Sequence, residues 1–139
     1  MNGAYVHLVF NHFPPILMIV ALIALACRAQ RLAYILVFVA ALTGFATFAS
    51  GKRAAAYVKT MDGVNREAIV PHQQAAAVAI FTITLAAIAA VFGLKRPRSP
   101  VAQYVATFLL IIATFATTYT ALLGGRIHHP EVQMRAPLR

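Results

Sequence analysis

Acidic side chains are nearly missing from this chain: three Asp and Glu stand against twelve Lys and Arg in 139 residues, with no tryptophan and one cysteine. Each shortage excludes something. Asp62, Glu67 and Glu131 are the only carboxylates and none lies inside a long apolar stretch. A pump or transporter built on intramembrane acids is therefore not expected. No HExxH, GxGxxG, P-loop or serine elbow occurs, so the usual zinc-hydrolase, nucleotide and acyl-transfer sites have no motif here. Cys27 has no partner for an internal disulfide and reads as a small apolar filler. Charge of either sign is missing from four long stretches, residues 1–27, 32–51, 68–94 and 99–125.

What remains is apolar. Hydrophobic residues make up 61% of the chain and mean hydropathy is +0.77. Each charge-free stretch reaches the ~20 residues a bilayer-crossing helix needs. The pattern predicts an all-α, integral membrane four-helix up-down bundle: a single transmembrane domain over 1–139, with helices at about 5–27, 32–51, 72–94 and 100–123. No cleavage site stands out near the start, and no repeat of 20–50 residues stands out either. The net charge of +9 reflects loop cations that set membrane orientation and does not point to nucleic acid.

Pro14 and Pro15 interrupt the first stretch, because proline removes a backbone donor and disfavours helix before it. Residues 5–13 are then expected at membrane depth beyond a kink, with Asn11 partnering a freed carbonyl. Thr43, Thr47 and Gly51 recur every four residues beside Gly44 and Ser50, a small-residue stripe that lets a helix or a flat cofactor approach. Lys52–Met61 could form a short amphipathic helix lying on the membrane. Asp62-Gly63 marks a turn, and Pro71 suits the start of the third helix. Gly124-Gly125 is expected to end the fourth.

Threaded up and down, the chain brings all five histidines to one end. His7 and His12 lie at the start of helix 1, His72 at the start of helix 3, and His128 and His129 just past helix 4. The other end carries Arg28, Arg31, Lys95, Arg96 and Arg98 in two tight turns. Dense cations in short turns predict the cytoplasmic side. The histidines and both termini are then extracytoplasmic, in a multi-pass protein of a bacterial inner membrane.

A histidine from each of two helices, with a small residue nearby, is how bundles hold haem. His72 in the first turn of a helix is disfavoured as imidazolium by the helix dipole, and neutral imidazole is the metal-binding form. Expected cofactor-binding and metal-ligating residues are His12, His72, His7 and His129. Gly44 or Gly51 would give clearance, and Lys52, Arg53 and Arg126 would pair with propionates. His12 and His72, with His7 or His129, are expected to share one cofactor. The leading reading is a haem b electron-transfer protein or subunit, more an accessory than a catalyst. Its partners would be the lipid bilayer and other membrane or periplasmic redox subunits. The alternatives are a cofactor-free structural or assembly subunit with interfacial histidines, and a copper-binding protein drawing on Met61 and Met134.

Four islands carry a resemblance. They are His7-Leu8-Val9-Phe10-Asn11-His12-Phe13-Pro14, Ser50-Gly51, Pro71-His72-Gln73-Gln74-Ala75, and Gly124-Gly125-Arg126-Ile127-His128-His129-Pro130-Glu131. Together they resemble a family of small, uncharacterised four-helix bacterial membrane proteins with an HxxxNHFP-like start and a GGxIxHPE-like tail. The resemblance implies that His7, His12, His72 and His129 occupy the family's histidine positions, and that His128 falls on a variable one. Gln73 stands where that family commonly has Glu. By architecture the chain is also similar, more distantly, to membrane b-type cytochromes.

Overall fold

A computed structural model describes the chain from residue 3 to residue 128. Five α-helices follow in order: α1 (Gly3–Phe10), α2 (Phe13–Ala26), α3 (Gln30–Val58), α4 (Ile69–Lys95) and α5 (Pro100–His128), with a 3-10 turn at Arg66–Ala68 before α4. The described residues form no strand. Four spans are long and apolar enough to cross a membrane: Tyr5–Ala26, Gln30–Val58, Arg66–Lys95 and Pro100–Ile127.

The first span breaks at Asn11–His12, ahead of the prolines. Pro14 and Pro15 sit in the opening turn of α2, where backbone N–H groups lack helical partners anyway and a missing donor costs little. Asn11 has its Oδ1 buried with no donor. The segment expected to lie on the membrane continues α3 in line as far as Val58. Nothing between Lys52 and Val58 breaks a helix, and Ala54, Ala55 and Ala56 favour one. Likewise Gly124-Gly125 does not end the last helix, which runs on to His128. The α3 and α5 helices have 29 residues each, about 43 Å at 1.5 Å per residue. That is longer than the ~30 Å hydrocarbon core of a bilayer. The long connection turns at Asp62-Gly63, with Gly63 at φ 73°. It is tied to α5 by Asn65 N–H donating to the Ile127 carbonyl at 3.0 Å.

The core is narrow and alanine-rich. Ala21, Ala33, Ala40 and Ala113 are wholly buried, and the largest fully buried side chains are Met18, Ile83, Leu110 and Val37. Small residues bring helix backbones close, which substitutes for the hydrophobic drive that lipid removes. Large apolar side chains such as Phe81, Tyr104, Phe108 and Phe115 point outward. Cys27 is exposed at the end of α2 and is not core filler. Thr114 and Thr117 are buried but donate to the Leu110 and Ala113 carbonyls of their own helix at 2.8 and 2.9 Å. Hydroxyls satisfied within the helix can face the core at low cost.

The two halves match residue for residue. Positions 65 apart in α2 and α4 share burial: Met18 with Ile83, Ala21 with Ala86, Ala24 with Ala89. Positions 73 apart in α3 and α5 do the same: Ala33 with Ala106, Val37 with Leu110, Ala40 with Ala113. The four largest fully buried side chains are thus two equivalent pairs. Gln30 and Gln103 are also 73 apart and meet, with amide nitrogen to amide oxygen at 3.0 Å. A helical hairpin is repeated about a pseudo-twofold axis running along the bundle, the parallel-repeat arrangement known from some transporters.

Candidate functional site

At the end of the bundle opposite the Gln30–Gln103 contact, the repeat brings His7 and His72 together. Both occupy the position that opens the first helix of their hairpin, 65 residues apart. Their ring centres are 6.3 Å apart and their planes cross at 88°.

Each imidazole is anchored to its own hairpin. The Nδ1 of His7 lies 3.0 Å from the Thr47 carbonyl on α3, and the Nδ1 of His72 lies 3.0 Å from the Thr120 carbonyl on α5. A carbonyl only accepts, so Nδ1 carries the proton in both rings and Nε2 keeps its lone pair in the neutral form. Neither Nε2 has a hydrogen-bond partner among the described residues. An N–H held by a backbone carbonyl while the other nitrogen stays free is the usual support of a metal-binding histidine, because it fixes tautomer and ring orientation together.

One turn beyond each threonine is a glycine on which the ring rests. A Cβ on Gly51 would come within 3.7 Å of His7, and one on Gly124 within 3.1 Å of Cε1 and 3.3 Å of Nδ1 of His72. Each half therefore carries the same seat: a histidine, a Thr-x-x-x-Gly on the facing helix, and an arginine two residues on, Arg53 and Arg126.

The expected residues fare differently. His7, His72 and Gly51 are brought together. His12 lies exposed in the turn between α1 and α2, and its ring takes no part in the pair; a five-residue spacing already sets it about 140° from His7 around a regular helix. Gly44 is a packing residue, with a Cβ there meeting Ile80 at 3.3 Å and Ile83 at 3.5 Å. Lys52, Arg53 and Arg126 stand exposed near the histidine end, and Met61 is exposed in the long connection. His128 is the last residue of α5 and not past its end. His129, Met134 and Glu131 lie outside the described residues. Sequence reasoning missed Thr47 and Thr120, which act through their backbones, and Gly124, which reads as a helix terminator. The signal that could have found them is the shared Thr-x-x-x-Gly-x-Arg in residues 47–53 and 120–126.

Among the described residues no three His, Cys, Asp or Glu side chains gather as a metal site. A cleft of about 310 Å³ opens on the outer surface between α2 and α5, lined by Pro15, Ile16 and Ile19 on one wall and Thr118, Ala121 and Gly125 among others on the second. No family model, curated protein or solved structure matches the chain.

Proposed function

We propose that this chain is a membrane-embedded, b-type haem protein that passes electrons, with His7 and His72 as the two axial ligands. The spacing of the rings is the observation that carries the reading. A metal sits about 2 Å from an imidazole nitrogen and the ring centre about 1 Å behind it, so two opposed imidazoles on one metal have centres about 6 Å apart. The observed 6.3 Å fits that spacing. Both rings also have Nδ1 occupied and Nε2 free, which suits axial ligation.

Haem is favoured over a bare ion by ligand number. A copper or zinc ion held by protein alone asks for three or four side chains, and among the described residues only these two imidazoles meet. Haem iron brings four nitrogens of its own and asks the protein for two more. The exposed Lys52, Arg53 and Arg126 at this end supply cations for propionates. Two tight histidine ligands leave no open position for substrate, so the reading is electron transfer and not catalysis at iron. The cation-dense turns Arg28–Arg31 and Lys95–Arg98 favour a cytoplasmic location for the far end, which puts the histidine pair and its redox partners on the extracytoplasmic side. Visible spectroscopy on protein purified after haem-replete expression tests this. A Soret band with sharp reduced α and β bands is expected; a colourless protein ends the haem reading.

A further inference from the structure

We infer that the cleft between α2 and α5 is the slot that receives the edge of the porphyrin, so that the ring is admitted sideways from the bilayer. This rests on the haem reading. His7 is anchored on the first hairpin and His72 on the second. A flat ring standing across the line between them must lie in the plane that separates the hairpins. That plane has two seams, α3 against α4 and α2 against α5.

The first seam is tight at Gly44. Gly44 on α3 is packed so tightly that a Cβ would come within 3.3 Å of Ile80 and 3.5 Å of Ile83 on α4. The second seam is open along the cleft. The pseudo-symmetry shows the origin of the difference. Where α5 lines the cleft with Thr118, Ala121, Leu122 and Gly125, the equivalent positions of α3, 73 residues earlier, are Phe45, Phe48, Ala49 and Lys52. Three of the four exchanges leave the α5 side the smaller, and Leu122 against Ala49 is the exception.

The open seam also adjoins the histidine seat. Ala121 follows Thr120, whose carbonyl holds His72, and Gly125 follows Gly124, on which the His72 ring rests. A Cβ on Gly125 itself meets nothing within 4 Å. The lining is almost wholly apolar, which matches the vinyl and methyl edge of haem and not its propionates.

Thr118→Phe and Ala121→Phe give the cleft the bulkier side chains of the equivalent α3 positions. Both should lower haem content per folded protein about tenfold, equivalent to about 1.4 kcal/mol of lost affinity, with helicity by circular dichroism unchanged. Phe45→Ala, on the first seam, should load like wild type. Variants that fold and load fully would overturn the inference and leave the haem reading standing. A wild type that takes no haem removes both. A second measurement stands if the variants misfold: zinc protoporphyrin bound to the wild-type protein in vesicles should lose fluorescence to brominated acyl chains. Fluorescence indifferent to those lipids would equally overturn the lateral slot.

Discussion

Gly51 and Gly124 occupy equivalent places under the two imidazoles, yet the same substitution should act on them in opposite directions. A Cβ on Gly51 would lie 3.7 Å from His7, an ordinary contact. Gly51→Ala therefore keeps the usual gain of replacing a mid-helix glycine, about 1 kcal/mol. A Cβ on Gly124 would lie 3.1 Å from Cε1 of His72, so the ring must move by a few tenths of an ångström. It is held by the 3.0 Å bond to the Thr120 carbonyl, and it cannot shift without stretching that bond or leaving its rotamer. Weakening the hydrogen bond costs about 1 kcal/mol, and an off-rotamer side chain about another. Set against the same propensity gain, Gly124→Ala should come out about 1 kcal/mol less stable than wild type and about 2 below Gly51→Ala. Melting curves followed by circular dichroism in detergent should separate the two alanine variants by about 4–8 °C at 2–4 °C per kcal/mol. Gly125→Ala, whose Cβ meets nothing, should behave like Gly51→Ala. Equal melting of the 51 and 124 variants would refute the reasoning that His72 is pinned between a carbonyl and a glycine.

Three further outcomes follow from the packing and the topology. Tyr34 is 3% exposed with its hydroxyl unpartnered; removing an orphaned buried hydroxyl relieves its desolvation cost, so Tyr34→Phe should raise the denaturation midpoint by the equivalent of about 1 kcal/mol. Gly93→Ala would place a Cβ 2.7 Å from the Tyr34 ring and should cost about 1–3 kcal/mol by overpacking; a Tyr34→Leu partner change should recover most of that loss in a double-mutant melt. A reporter fused after Arg139 should be active on the extracytoplasmic side if the proposed orientation, argued from the cations in the two short turns, holds, and activity in the cytoplasm would reverse it.

The four spans were legible because length and apolarity suffice to mark them. So was the end of the bundle that holds the histidines. Which histidines meet was not legible: His7 and His12 lie five residues apart, about 140° around a regular helix, so they use different faces, and residue type does not say which face turns inward. The seats under the rings were hidden for another reason. Their hydrogen-bonding atoms are the carbonyls of Thr47 and Thr120, which residue type alone does not mark and only the repeat of Thr-x-x-x-Gly-x-Arg hints at. Gly124 carries the same letter whether it ends a helix or makes room for a ring. The hairpin repeat escaped because its spacing changes from 65 to 73 within one unit. The second hairpin is longer at the turn away from the histidines, where α4 runs on to Lys95 and α5 starts at Pro100.

Paramagnetic resonance of the oxidised, haem-loaded protein tests the central claim most directly. Two imidazoles on one iron, with ring planes 88° apart, should give a strongly anisotropic low-spin ferric signal in the wild type. The signal should disappear in both His7→Ala and His72→Ala and persist in His12→Ala. A low-spin signal that survives either of the first two substitutions, or that is lost with His12, would contradict the assignment of the iron to this pair.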